Sequence, residues 1–300
     1  MALPSSIHPA FTIGLVLALA ACGGPETPTD TATDATLATD TATSETQLLQ
    51  VGGKVFSIPS PVQSAYAIRK AGLKYQQNVT APLDKGETMT SKSSQAMLLG
   101  MLGADMAYVT VHKDGQRALA TLQAIEKLGG KLELSNAFDR ALLERFKSNL
   151  SSEDSLLRFS GTAFRAADQY LKDNDRNDVS SLVLIGGWVE SLHLTLADPA
   201  GFKDQALMDR VGEQRKAVND LLELMSAVVT DESAAPVLKG LKELQASFSG
   251  ITSTYAFEKP VTDVAQRTTF INSKSSVTIS ADQLADIAAK VSAIRSMILA

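Results

Sequence analysis

From Val51 to Ala300 apolar residues recur at steps of three and four, the spacing that lays side chains along one face of an α-helix. The clearest stripe is Leu284, Ile287, Val291, Ile294 and Ile298. It opens with Ser280-Ala281-Asp282-Gln283, which fits a capping box in which Ser280 caps and Gln283 reaches back. Leu207, Val211, Val218, Leu221, Met225 and Val228 form a second stripe. Phe138, Leu142, Phe146 and Leu150 form a third, entered through Ser135-Asn136. Further helices are predicted over 61–73, 91–112, 115–128, 153–171, 178–196 and 235–248, with Pro61 at the first position of its helix after Ile58-Pro59-Ser60. Short connectors such as Lys113-Asp114-Gly115 and Leu128-Gly129-Gly130 predict antiparallel neighbours. The fold class is all-α: a multi-helix antiparallel bundle of about eight to nine helices. Aromatic residues make up only 5% of the chain and Trp188 is its one tryptophan, which suits helices packed on helices through Leu and Ala.

One segment differs from these amphipathic stripes. Val179-Ser180-Ser181-Leu182-Val183-Leu184-Ile185-Gly186-Gly187-Trp188-Val189 is apolar on nearly every side, so it belongs at the centre. Each glycine of its Gly186-Gly187 pair costs ~1 kcal/mol of helix propensity against Ala. Close approach of a neighbouring helix is the expected compensation, and Gly100 and Gly103 read the same way. The helical pattern breaks over 251–279, where Ile251 to Phe257 and Ser275 to Ile279 alternate like strands on either side of Pro260. An extended excursion, a small strand pair, is predicted there before the last helix.

The N-terminal part carries an address. The apolar run Phe11 to Ala21 has the length of a signal-peptide core and falls short of the ~20 residues of a membrane-spanning helix. It ends at Cys22, and Leu19-Ala20-Ala21-Cys22 resembles the lipobox of bacterial lipoproteins. The resemblance implies a signal peptide over 1–21, cleavage before Cys22, and acylation of that cysteine by diacylglycerol and palmitate-type chains. Two or three chains anchor stably where one does not. The segment Met1 to Ala10 departs from the pattern in having no Lys or Arg. Residues 22–50 read as a disordered Thr/Ala/Asp tether, and 51–300 as the helical domain. Glu26, Asp30, Asp34, Asp40 and Glu45 lie in the tether without a base, and they account for the net charge of −5. The remainder is balanced, which removes the electrostatic case for nucleic acid and for a polybasic lipid patch.

Few groups fit a catalytic pattern. Cys22 is the single cysteine, so no disulfide, thiolate cluster or cysteine nucleophile is expected in the folded part. His112 and His193 are the histidines beyond the signal segment, and no Gly-x-Ser-x-Gly elbow occurs. Glu190-Ser191-Leu192-His193 is a Glu-x-x-His step, yet a di-metal site needs a second such step and none exists. Asp173-Asn174-Asp175-Arg176-Asn177 begins like an EF-hand loop, but Asp178 replaces the glycine of position six and Leu184 the glutamate of position twelve. It reads as an inter-helix turn in which Asn177 or Asp178 caps the next helix and Arg176 balances the acids. Arg165 and Asp168 are spaced to pair along one helix.

Several segments together resemble a group of uncharacterised Gram-negative envelope lipoproteins. They are Phe56 to Pro61, Leu102 to Tyr108, Phe164 to Asp168, the Asn174 to Asp178 turn with Gly186-Gly187-Trp188, and Ile271 to Lys274. The resemblance implies an envelope location and a helical domain, and it brings no activity, cofactor or metal. The expectation is a lipid-anchored, non-catalytic binding or scaffolding protein whose partners are other envelope proteins or a small ligand held between helices. Gly23 after the lipidated cysteine, in place of an inner-membrane aspartate, points to the outer membrane. The alternatives are an enzyme acting on cell-wall or glycan material through Asp168, Asp175 and Glu190, and a structural envelope-integrity protein.

Overall fold

The computed structural model describes residues 47–51, 54–135, 140–148, 162, 166–228 and 232–300. Cys22, the signal segment, most of the tether, Arg165, the entry at Asn136, and most of the 153–171 helix lie outside them. The all-α expectation holds: long helices make the body, and strands are confined to short antiparallel pairs.

In chain order, strands β1 (Gln47–Val51) and β2 (Lys54–Ile58) pair antiparallel, Gln47 opposite Ile58 and Val51 opposite Lys54. Helix α1 (Pro61–Lys70) follows, then a short helix α2 (Lys85–Thr88), α3 (Lys92–Val111), α4 (Gly115–Lys131) and α5 (Arg140–Ser148). Residues 166–173 are helical (α6). Then come α7 (Asn177–Leu196), α8 (Gln205–Val228) and α9 (Ala235–Ser249). Strands β3 (Thr252–Ala256), β4 (Val261–Asp263), β5 (Thr268–Phe270) and β6 (Lys274–Thr278) precede α10 (Ala281–Leu299).

The core is built on α3 against α7, both buried on almost every face. The glycines let the two backbones touch. A Cβ on Gly100 would sit 1.8 Å from the Val183 carbonyl oxygen, and one on Gly186 would sit 1.9 Å from that of Met97. Any side chain larger than hydrogen therefore pushes the helices apart, which is why two costly glycines sit mid-helix. Helix α7 is long and apolar enough to cross a membrane, but its surface is buried inside the protein. Around this pair, α10 buries the whole predicted stripe from Leu284 to Ile298, and Ser280 and Gln283 form the predicted capping box. Trp188 is buried and donates from Nε1 to Gln214 Oε1 at 2.8 Å, tying α7 to α8.

Three local expectations are corrected. The Gly129-Gly130 pair lies inside α4, because burial of Leu128, Leu132 and Leu134 offsets the glycine cost; the helix ends at Lys131, capped by Leu132 and followed by Glu133 with φ 63°. Asn177 and Asp178 do not cap α7. They lie in its first turn behind Arg176, which donates to the Leu132 carbonyl at 2.7 Å, while Asp178 still favours the positive end of the helix. Finally, β1 begins at Gln47, inside the stretch read as tether, so backbone pairing starts before Val51.

The excursion over 251–279 is two consecutive ribbons. Strand β3 pairs with β6, Thr252 opposite Thr278 and Ala256 opposite Lys274, and β4 pairs with β5, Val261 opposite Phe270. Its root is fixed to α8. Val277 fills a notch at Gly212, where a Cβ would lie 2.2 Å from its Cγ1, and its backbone N–H donates to Asp209 Oδ1 at 2.9 Å. Beyond that root nearly every residue of β3, β4 and β5 is exposed, so the ribbons form an arm.

Candidate functional site

Two places carry chemistry out of the ordinary, one inside the body and one on the arm. The first is an acid pair. Asp105 on α3 and Glu190 on α7 are both wholly buried, and Arg295 on α10 reaches them. Arg295 grips Glu190 with two hydrogen bonds, Nε to Oε2 at 2.7 Å and Nη2 to Oε1 at 2.9 Å. Its Nη2 also donates to the Val79 carbonyl at 3.1 Å. Asp105 Oδ2 accepts from the Ala81 backbone N–H at 2.8 Å, while its Oδ1 has no partner of good geometry.

Electrostatics assigns the charges. Burial raises the Asp105 carboxyl far above the usual carboxylate range, and the adjacent Glu190 charge raises it further; the Ala81 N–H opposes both. Burial also raises Glu190, against the hydrogen bonds and charge of Arg295. One cation cannot neutralise two buried anions, so Asp105 holds a proton and Glu190 is the anion of the ion pair. His193 is driven the other way. Burial and the Arg295 charge push it down to about 4, so the imidazole is neutral beside the Val79 carbonyl. These groups clamp residues 79–81 onto the core, and Arg117 on α4 adds bonds to Thr80 Oγ1 and the Ala81 carbonyl. Such a cluster fixes which helix faces meet. Both acids are closed off between α3, α7 and α10, with Arg295 alone of the ion pair keeping a little exposure, so the cluster acts as a latch.

Near one end of α3, Tyr75, Tyr108 and His112 pack ring against ring, with His112 4.7 Å from Tyr108 and 5.4 Å from Tyr75. The Tyr75 hydroxyl donates to Asp114 Oδ2 at 2.7 Å. Burial, then the Arg69 charge, lowers His112, which holds it neutral within the rings.

The residues singled out from sequence are dispersed. Glu190 lies in the latch. Asp168 accepts from Lys172 at 2.5 Å and from Ser180 at 2.7 Å, and Asp175 sits in the turn with φ 55°. Asp173 accepts from Gln169. Among the described residues no group of three or more His, Cys, Asp and Glu is gathered as a metal site. A depression between Pro59, Trp188, Leu207, Arg210 and Gln214 holds about 20 Å³, room for one water and not for a larger ligand. Sequence reasoning missed Asp105 and Arg295 as partners. Their signal was present: each is a lone charge in or beside an apolar run, Asp105 between Ala104 and Met106 and Arg295 between Ile294 and Met297.

The second place is the arm. Of the large apolar side chains exposed among the described residues, Tyr255, Phe257, Val261, Val264, Phe270 and Ile271 all belong to it, and Met297 alone lies elsewhere. Their exposure runs from 47% for Phe270 to 82% for Val264. Comparison with protein families, with curated proteins and with solved structures returns no match for this chain.

Proposed function

We propose that this is a lipid-anchored envelope lipoprotein whose helical domain binds or scaffolds without catalysis. The observation that carries the reading is the concentration of exposed apolar side chains on the arm. A body that buries its Leu and Ile so completely has no solubility reason to expose six large apolar groups on one projection. Groups of that kind mark contact surfaces. The Leu19-Ala20-Ala21-Cys22 sequence supports the anchor, with cleavage before Cys22, palmitate-type acylation there, and Gly23 favouring the outer membrane. The acidic segment beyond it gives the domain reach. Other envelope proteins are the natural partner class. A carboxylate-dependent activity would require Glu190 to leave Arg295 and reach solvent, at the cost of breaking a buried ion pair.

Metabolic labelling with an alkyne analogue of palmitate tests the anchor. The full chain takes up label and sediments with outer-membrane fractions, and Cys22→Ala takes up none. Label that persists in Cys22→Ala, or a wild-type chain recovered without label, sinks that part of the proposal. The binding part fails if arm substitutions leave every envelope contact of the chain unchanged in crosslinking.

A further inference from the structure

We infer that the arm is a self-association surface, whose partner is the arm of a second copy of this chain. The inference deepens the binding reading above and does not use the lipid anchor.

The argument begins with what the ribbons lack. Among the described residues each sheet has two strands, so every arm strand has one backbone edge without a strand partner there. Isolated two-stranded ribbons are marginal in water and gain most from a third strand or a covered face. The β4–β5 ribbon is two-faced. Val261 and Phe270 are cross-strand partners on one side, and Thr262 and Thr269, with hydroxyls 3.1 Å apart, are partners on the other. The apolar side is open, and the threonine side suits water.

Size and charge select the occupant. At ~150–250 Å² for each aromatic side chain and less for each aliphatic one, and with exposures of 47% to 82%, the six groups offer roughly 500–800 Å² over the arm. The upper part of that range reaches the ~800 Å² each partner contributes to a standard protein interface. The arm's charges are mixed: Glu258 and Asp263 against Lys259, Arg267 and Lys274. An anionic bilayer surface would call for a basic cluster, which is lacking. Two copies meeting through a twofold axis face no single-sign repulsion, and opposite charges are available to pair across it. The fixed root matters too. Val277 in its Gly212 notch and Asp209 on the Val277 N–H fix the base of the arm on α8, and the apolar groups beyond that base are exposed rather than packed on its own helices.

Thiol crosslinking of the full chain in its own envelope tests this. Thr268→Cys places a thiol on the arm, on the side of Phe270 and without removing an apolar group, and Lys239→Cys places one on the exposed body as control. With a short bifunctional maleimide, Thr268→Cys yields a species of twice the chain's mass containing only this chain. Lys239→Cys and the wild type stay single. Adding Val261→Asp to Thr268→Cys lowers the doubled fraction by about thirtyfold, the loss from one central apolar contact, with helical circular dichroism unchanged. A Thr268→Cys chain that stays single overturns the proposal, as does equal doubling from Lys239→Cys. Capture of Thr268→Cys by a photoreactive phosphatidylcholine, with no doubled species, assigns the arm to lipid and also overturns it. Fatty-acid labelling at Cys22 is read from a separate signal, so failure of the anchor and failure of arm pairing are told apart.

Discussion

The α3–α7 contact and the β3–β6 arm treat their side chains in opposite ways. Between the helices even a methyl group is too much, and the two backbones lie against each other across Gly100 and Gly186. On the arm, Tyr255 and Phe257 keep 66% and 71% of their surface open to solvent. A chain that packs one region to backbone contact is under no general constraint to pack loosely. The arm's exposure is therefore local to the arm, and the difference teaches where specificity inside the molecule ends and contact with other molecules begins.

Substitutions sharpen that contrast, the largest effect first. Gly186→Ala drives a Cβ into the Met97 carbonyl and is expected to cost on the order of 4 kcal/mol or more, beyond ordinary overpacking. Chemical denaturation reads it, and a near-wild-type midpoint would break the picture of backbone contact. Next, Arg295→Met strands Glu190 as a buried unpaired charge, for a loss of about 3–5 kcal/mol. Adding Glu190→Gln should restore much of it, and a double-mutant cycle in urea measures how much.

The third effect is pH dependence. His193 titrates in the unfolded chain at 6.5 and is pushed down to about 4 in the fold. As pH falls from about 6.5 to about 4, the unfolded chain takes up a proton that the folded chain refuses, and stability drops by about 3 kcal/mol in all. Asp105 runs oppositely: its raised carboxyl favours the fold most at low pH, and that contribution is lost as pH rises through its folded value. The difference between wild type and His193→Gln isolates the histidine. Melting curves between pH 7 and pH 4 should show the wild type losing ground to the variant on acidification, and parallel curves would remove His193 from the latch. Smallest of all, Tyr255→Ser should shift stability by no more than about 0.5 kcal/mol, the range of ordinary surface changes. A larger loss of monomer stability would mean the arm packs on its own body after all.

Much of the fold was legible because helix periodicity and caps are local. Leu284 to Ile298 with Ser280 and Gln283 defined α10 without any tertiary knowledge, and the all-apolar run around Gly186-Gly187 announced a central helix in close contact. The strand alternation at Ile251 to Phe257 and Ser275 to Ile279 marked the arm's two outer strands as well. What stayed hidden depends on distance in the chain. Nothing local says that Arg295 meets Glu190, and Asp105 in an apolar helix gives notice of a buried charge without naming its partner. Tertiary burial also overrode a local rule at Gly129-Gly130, where α4 continues through a glycine pair that reads as a connector. At Gln47 to Ile58 the signal was there: Gly52-Gly53 between two short alternating runs is a hairpin pattern, and the acidic, Thr-rich stretch before it masked where it begins.

The Arg295–Glu190 pair also sets an order of events. The chain is made from its N-terminus, and the cation that neutralises Glu190 lies 105 residues later, five residues before Ala300. Until that helix is available, α3 and α7 can come together only by burying two acids with no counter-charge, so the pair stays apart or holds a second proton. The core of this domain thus closes only once α10 is present, and a chain lacking α10 loses the compensating charge of its centre along with a flank.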